Sequence, residues 1–284
     1  MIFSVALAQI DPILGDVKEN VAKHVSWAKR AAHEGAQLII FPELSLTGYS
    51  VKDMNWELAL NPSRPSQVLS PLMEISRSIS ILAGGIEEDQ AFHIHNAAFL
   101  IEDGVIGCAH RKTYPPTYGM FEELRYFSPG KTVRAQQSKL GLLGVLICED
   151  LWHLPLPYLL AQQGAQLIVT MAASPTRVGG GEQILRIAST NAEHHRTYAR
   201  LLSCYIAFCN RVGFEDGVNF WGGSEVISPD GSTIAAAKQF EEDLVLARVD
   251  DSEVRRARQF SRHFLDENPH LVLRELQRIC QERS

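Results

Sequence analysis

Three side chains of complementary chemistry each follow a predicted buried strand: the carboxylate of Glu43, the amine of Lys112 and the thiol of Cys148. A cysteine thiolate attacks carbonyl carbon, a carboxylate takes the thiol proton and returns it to a leaving amine, and an ammonium stabilises the developing oxyanion. Strand ends of a buried sheet can converge on one pocket. Each residue alone is ordinary, but the combination predicts an acyl-transfer site.

The apolar runs that precede these residues predict an α/β fold. Residues 2–10, 37–41 and 142–147 are short and nearly continuous in apolar character, which is typical of strands buried on both faces. An amphipathic helix is predicted over 16–34, and the longest predicted helix spans 183–203. A hairpin is predicted over 96–101 and 105–110, and Lys112 follows its second strand. These elements would carry the three side chains to the ends of strands in buried sheets.

Composition limits the kind of protein. The 284 residues, 45% of them hydrophobic, predict one large domain over residues 1–250 and a C-terminal extension over 251–284 that packs on the domain or on a second subunit. A net charge of -6 argues against nucleic-acid or anionic membrane partners. The five cysteines have no disulfide-framework spacing and the N-terminus has no secretory leader, so a cytoplasmic protein with free thiols is expected.

Three segments, FPELSLTGYS, HRKTYPPTYGMFEELRYFSPG and GVLICEDLW, resemble the nitrilase, or carbon-nitrogen hydrolase, superfamily. The resemblance implies a four-layer α-β-β-α sandwich and a Glu-Lys-Cys triad. By position, Glu43 would be the general base, Lys112 the oxyanion cation and Cys148 the nucleophile that forms a thioester. Glu123, which fits the family's spacing between two phenylalanines where Glu122 does not, would keep Lys112 charged and oriented and help to activate water. The backbone N–H of Glu149 would complete the oxyanion hole.

Within that superfamily, PTYGMFEELRYFSPG, ICEDLW and FEDGVNFWGGSEVISPDG are most similar to the glutaminase domain of glutamine-dependent NAD synthetase. This resemblance implies that Tyr49, Glu149 and Ser174 grip the substrate's α-amino and carboxylate ends. Tyr118 would line the same cleft. Superfamily members form homodimers or larger assemblies, so a homo-oligomer is expected.

Two departures leave the substrate open. Gly180 stands where that family can place an arginine, with Arg177 nearby but out of register, and no synthetase domain or pyrophosphate-binding loop follows Val249. Loss of a guanidinium weakens carboxylate recognition because bidentate pairing is hard to replace. The favoured interpretation is an amidase acting on a small amide. The alternatives are a glutaminase subunit supplying ammonia to a separate synthetase, a nitrile hydrolase, and a catalytically silent scaffold with the same fold.

No metal or cofactor is predicted. His93 and His95 would lie on one face of a strand and His194 adjoins His195, but spacing suggests no third ligand for zinc. The glycines at 179–181 lack the Lys-Ser/Thr that follows them in a phosphate-binding loop.

Overall fold

The structure is a computed structural model that describes residues 2–64, 66–176 and 181–283, with the side chains of 181–185 left out. Arg177, Gly179 and Gly180 therefore lie outside the described residues. The strands are β1 (Ile2–Gln9), β2 (Leu38–Ile40), β3 (Ser80–Glu88), β4 (Ile94–Glu102), β5 (Val105–Arg111), β6 (Gln136–Ser138), β7 (Gly141–Ile147), β8 (Leu167–Ala172), β9 (Pro175–Thr176), β10 (Tyr205–Asn210), β11 (Val212–Glu215), β12 (Val218–Trp221), β13 (Glu225–Ile227), β14 (Thr233–Ala236) and β15 (Asp243–Asp250).

Helices connect and cover the strands. The α-helices are α1 (Val17–His33), α2 (Ser70–Ile75), α3 (Glu123–Tyr126), α4 (Pro155–Gln162), α5 (Gly181–Leu202), α6 (Asp251–Phe260) and α7 (Pro269–Glu282). Short 3-10 helices span Lys52–Met54, Gln67–Leu69, Cys148–Trp152 and Arg262–Phe264. The predicted helices over 16–34 and 183–203 correspond closely to α1 and α5.

The strands form two main sheets and a small one. The first main sheet has the order β15-β1-β2-β3-β4-β5, the second β14-β13-β10-β8-β7-β6, and the small sheet β11-β12-β9. β1, β2 and β3 are mutually parallel in the first main sheet, as are β7, β8 and β10 in the second. β4 and β5 form an antiparallel hairpin, so β5 runs in the same direction as β2. The carboxyl ends of β2 and β5 therefore lie at one edge of the sheet.

The two main sheets face each other across an apolar core to which Val5 and Leu38 contribute from one sheet and Val145 and Val169 from the other. The outer face of the first sheet packs against α1 and α2, and the outer face of the second against α4 and α5. This arrangement confirms the predicted α-β-β-α sandwich. Each sheet buries both faces, which explains why its strands read as continuous apolar runs.

The C-terminal segment crosses the edge of this sandwich. α6 begins where the Asp250 side chain accepts a hydrogen bond from Ser252 N, and its Val254 is 2% exposed in the core between the sheets. α7 keeps Leu271, Leu273 and Leu276 exposed. In the described part of the chain, no helix combines the length and apolar character needed to cross a membrane.

Candidate active site

Glu43, Lys112 and Cys148 meet where strand ends of the two facing sheets come together. Glu43 lies just beyond β2, Lys112 directly follows β5, and Cys148 directly follows β7 of the opposite sheet. The structure brings these three sequence-predicted residues, and Glu123 from the first turn of α3, into one cluster. A strand end can present a side chain without breaking the sheet's ladder, and the parallel strands make those ends coincide.

The ammonium of Lys112 is buried between two carboxylates. Lys112 Nζ donates to Glu43 Oε1 at 2.7 Å and to Glu123 Oε1 at 2.7 Å, and the lysine is only 1% exposed. Burial alone would lower the pKa of Lys112, but the charges of Glu123 and Glu43 outweigh it and hold that pKa well above its ordinary value. Burial raises the pKa of Glu123, and the charge of Lys112 opposes that rise. The two carboxylates therefore favour the charged form of Lys112.

Glu43 is held from both sheets. Asn96 Nδ2, on β4, donates to Glu43 Oε1 at 2.8 Å, and the backbone N–H of Ala173, just after β8 of the other sheet, donates to Glu43 Oε2 at 2.8 Å. Both carboxylate oxygens thus have fixed partners, which restricts the rotamers of Glu43. Sequence reasoning missed Asn96, whose only signal was an amide at the start of the otherwise apolar run 96–101.

Cys148 occupies a sharp turn between β7 and the 3-10 helix Cys148–Trp152. Its φ is 46°, in the left-handed region that non-glycine residues seldom adopt, and the conformation costs on the order of 1–3 kcal/mol. Burial and the charge of Glu43 raise the pKa of the Cys148 thiol well above its ordinary value, although the Lys112 charge opposes them. The thiol is therefore protonated at neutral pH.

A buried carboxylate that the sequence analysis overlooked connects this turn to the loop after β5. Asp150 Oδ2 accepts from His110 Nε2 at 2.8 Å and from Ile147 N at 3.1 Å. Its other oxygen accepts from Thr113 N at 3.0 Å and Tyr114 N at 2.9 Å. Asp150 is fully buried. We call this set of contacts the Asp150 clamp; it fixes the nucleophile's turn against the loop that carries the lysine.

The thiol opens into a cleft of about 1020 Å³. Tyr118, Glu149 and Ser174, three of the predicted substrate-binding residues, line the cleft together with Cys148. The Tyr118 hydroxyl donates to Glu149 Oε2 at 2.7 Å, and Ser174 Oγ accepts from Trp221 Nε1 at 3.0 Å. The cleft wall thus presents an oriented carboxylate and an oriented hydroxyl near the nucleophile.

Tyr49, the fourth predicted substrate-binding residue, reaches the buried cluster. Its hydroxyl donates to Glu123 Oε1 at 2.6 Å, the same oxygen that accepts from Lys112. Its backbone N–H donates to Glu215 Oε1 at 2.9 Å, and Glu215 in turn pairs with the fully buried Arg211 at 2.6 Å. These contacts place Tyr49 as a support for Glu123.

The loop that carries Glu43 depends on the absence of a side chain at Gly84 in β3. A Cβ built there would lie 2.4 Å from Pro42 O and 2.5 Å from Leu44 N, the backbone on both sides of Glu43. We expect Gly84→Ala to push this loop away, to slow at least tenfold the acyl-transfer reaction that the sequence predicts, and to destabilise the fold by about 1–3 kcal/mol.

Gly107→Ala is the matched control, because a Cβ at Gly107 in β5 meets no atom within 4 Å. Both variants would be compared by ammonia release and urea unfolding. Equal rates and equal free energies of unfolding in the two variants would contradict the expected role of Gly84.

The histidine pairs that suggested a metal have other partners. His93 Nδ1 and His95 Nε2 each lie 3.3 Å from Asp89 Oδ2, and His195 Nδ1 lies 2.7 Å from Glu225 Oε1. Over 2–64, 66–176 and 181–283, no three His, Cys, Asp or Glu side chains are grouped to hold a metal ion. All five cysteines, each within those ranges, are free thiols.

Comparison with known proteins places the chain among enzymes of one family. Residues 4–259 match the family described as carbon-nitrogen hydrolase. A glutamine-dependent NAD(+) synthetase from Acinetobacter baylyi is 31% identical over 253 residues, which cover 89% of this chain and 45% of that protein. The chain thus spans less than half the length of this curated relative.

Solved structures agree with the fold. A glutamine-dependent NAD+ synthetase from Acinetobacter baumannii superposes with a TM-score of 0.78 at 31% identity, covering 89% of this chain and 47% of that one. An amidase from Nesterenkonia sp. superposes with a TM-score of 0.78 at 24% identity, covering 96% of this chain and 95% of that one. At that identity the second likeness supports the architecture alone.

Proposed function

This chain belongs to the carbon-nitrogen hydrolase family, and on that premise we propose that it hydrolyses the C–N bond of a small amide through a thioester on Cys148. The products are a carboxylate and ammonia, or an amine. The observation that carries the proposal is the buried ammonium of Lys112, held between Glu43 and Glu123 beside a thiol that opens into a cleft. Burial of an ammonium group costs desolvation free energy. Acyl transfer develops a negative charge on the carbonyl oxygen, and a buried cation beside the nucleophile stabilises that charge.

In the first half-reaction the thiol attacks the amide carbon. Because the pKa of Cys148 is raised by burial and by Glu43, the sulfur attacks as its proton passes to the Glu43 carboxylate. The carbonyl oxygen becomes an oxyanion that Lys112 and the backbone N–H of Glu149 stabilise. The tetrahedral intermediate then collapses, the C–N bond breaks, and Glu43 returns the proton to the leaving nitrogen.

The second half-reaction removes the acyl group. Glu43, now a carboxylate again, takes a proton from water as the water oxygen attacks the thioester carbon. Collapse of this second intermediate breaks the C–S bond, and the proton returns to sulfur. The contact of Glu123 with Lys112 and Tyr49 keeps the ammonium in place through both steps, so Glu123 is a positioning residue in this scheme.

A glutaminase that supplies ammonia to a separate synthetase is the second candidate. Its support is the 31% identity to a glutamine-dependent NAD(+) synthetase over 253 residues. The cleft adds a carboxylate, Glu149, oriented by Tyr118 and able to bind an α-ammonium group. Glutamine is therefore tested beside the other amides.

The test is ammonia release from glutamine and from a panel of aliphatic, aromatic and N-carbamoyl amides, with aliphatic nitriles included. We expect turnover of at least one amide. With hydroxylamine added, the acyl group on Cys148 should transfer to it and yield the hydroxamate, since a thioester partitions between water and the stronger nucleophile.

The panel separates the candidates. Turnover of another amide with negligible turnover of glutamine excludes the glutaminase. Turnover of glutamine with negligible turnover of the other amides favours it. Turnover of nitriles alone contradicts the amidase proposal. Absence of turnover on every compound, in a chain that unfolds cooperatively, leaves the silent scaffold.

A further inference from the structure

We propose that Glu215 is a positioning residue of the active site and that it acts on Lys112 through Tyr49. This inference rests on the proposed amide hydrolysis and adds a residue to the set that aligns its reacting groups. Glu215 is the last residue of β11 in the small sheet and is 6% exposed. The small sheet also contributes Thr176 and Val218 to the wall of the cleft. It would thus hold the buried cluster in place as well as frame the cleft.

The carboxylate of Glu215 fixes the loop that carries Tyr49. Glu215 Oε1 accepts from Tyr49 N at 2.9 Å and from Ser50 N at 2.6 Å. The preceding residue, Gly48, has a φ of 80° and lies so near that a Cβ there would be 2.9 Å from Glu215 Oε2. Charge-assisted hydrogen bonds to two consecutive N–H groups restrict both the position and the direction of this backbone.

The other oxygen of Glu215 is held by a buried guanidinium. Arg211 Nη1 donates to Glu215 Oε2 at 2.6 Å, and Arg211 is fully buried. Arg211 Nη2 donates to Asp11 Oδ1 at 3.1 Å, and the guanidinium carbon lies 4.2 Å from the ring centre of Phe220. An arginine keeps its charge when it is buried. Both oxygens of Glu215 therefore have fixed donors, and Glu215 is a rigid anchor for the loop.

Tyr49 transmits the position of this loop to the buried cluster. Its ring meets Phe220 edge-on with 6.1 Å between the centroids, and its hydroxyl donates to Glu123 Oε1 at 2.6 Å. Burial and the charges of Glu123 and Glu43 raise the pKa of Tyr49 well above its ordinary value, so the hydroxyl keeps its proton and remains a donor. Glu123 Oε1 also accepts from Lys112 Nζ at 2.7 Å. A shift of the loop therefore shifts the oxygen that the ammonium contacts.

Alkylation of Cys148 by iodoacetamide reports on this cluster without any amide turnover. The S–C bond forms as iodide leaves and the thiol proton passes to Glu43, whose Oε1 contacts the Lys112 ammonium at 2.7 Å. Intact mass spectrometry follows the reaction on the Cys280→Ala background, which removes an exposed thiol, and peptide mapping assigns the label. The dependence on reagent concentration separates the maximal rate of alkylation from the affinity for iodoacetamide.

Glu215→Gln keeps the size of the side chain but replaces one acceptor oxygen by an amide NH2, so the loop and Arg211 are no longer both held. We expect the maximal alkylation rate to fall about 5- to 20-fold with the affinity for iodoacetamide unchanged, because the reacting groups lose their alignment. Tyr49→Phe should have the same effect. Because the two substitutions act through one contact, the double variant should lie within about twofold of the slower single variant.

Glu225→Gln is the matched control for a loss of stability alone. Glu225 is 8% exposed, close to the 6% of Glu215, and its partner is the buried His195 at 2.7 Å. This variant should unfold at a lower urea concentration and alkylate at the wild-type rate. All rates are measured under conditions in which urea unfolding shows each variant to be folded. If Glu215→Gln does not fold cooperatively, Glu215→Asp, which keeps the charge but withdraws it by one methylene, takes its place.

Alkylation of Glu215→Gln at the wild-type rate would overturn the inference, and so would effects of the two single substitutions that multiply in the double variant. An equal loss of rate in Glu225→Gln would also overturn it. Where an amide is turned over, kcat should fall by the same factor with KM unchanged, and an unchanged kcat counts against the inference. Slowed alkylation in a protein that hydrolyses no amide would support the positioning role and contradict the proposed hydrolysis.

Discussion

Cys148→Ala is expected to hydrolyse no amide above background, a loss on the order of 10⁵-fold in kcat. The reason is that no other thiol can replace it. Among the described residues that line the cleft, Cys148 is the one cysteine, and Cys204 and Cys209 are fully buried in the core away from it. The measurement is ammonia release at saturating amide, together with hydroxamate formation in the presence of hydroxylamine.

Cys280→Ala is the matched control, because Cys280 is an exposed thiol on α7. It should retain full activity. Cys148→Ala should also retain the wild-type circular dichroism spectrum and unfolding midpoint, since it removes one sulfur from a position already open to the cleft. Residual hydrolysis above about 1% of wild type, with contamination excluded by active-site titration, would contradict the thioester mechanism.

Lys112→Met should lower kcat/KM by roughly 10³-fold and destabilise the fold by about 3–5 kcal/mol. The rate falls because the oxyanion loses its cation. The stability falls because Glu43 and Glu123 then lie buried without the ammonium that each contacts at 2.7 Å. Ammonia release measures the first effect, and urea unfolding at neutral pH measures the second.

A second substitution separates the two effects. In the double variant Lys112→Met with Glu123→Gln, one of the uncompensated carboxylates becomes a neutral amide of nearly the same shape. We expect this variant to recover part of the lost stability, because less buried charge is left unpaired, and to remain as inactive as Lys112→Met. Recovery of activity along with stability would show that Lys112 has only a structural role.

The strands, the covering helices and the cluster of Glu43, Lys112, Glu123 and Cys148 could be predicted from the sequence for two reasons. Buried strands have continuous apolar runs, and Glu43, Lys112 and Cys148 each follow the end of a predicted strand. Glu123 was predicted from the family resemblance alone. Local patterns of this kind can be recognised in a single sequence. The small sheet β11-β12-β9 was not predicted, because its strands of 4, 4 and 2 residues are too short to show a clear periodicity.

Contacts between distant segments could not be predicted in the same way. His110 and Asp150 are 40 positions apart, and Asn96 and Glu43 are 53 apart, so no periodicity relates the partners. The side chains of α5 that line the cleft could not be predicted either, because a residue on an amphipathic helix has the same pattern whether it faces solvent or a cleft. Only the packing of the two sheets and α5 decides these neighbours.

The Asp150 clamp has a consequence for how the molecule moves. The sulfur of Cys148 lies on one sheet and the ammonium of Lys112 on the other. Apolar contacts between the two sheets are non-directional, so by themselves they would let one sheet slide relative to the other. Hydrogen bonds are directional, and one fully buried carboxylate that receives four donors from both layers resists such sliding. The register between the sheets is thereby fixed at the point where the reacting atoms must align.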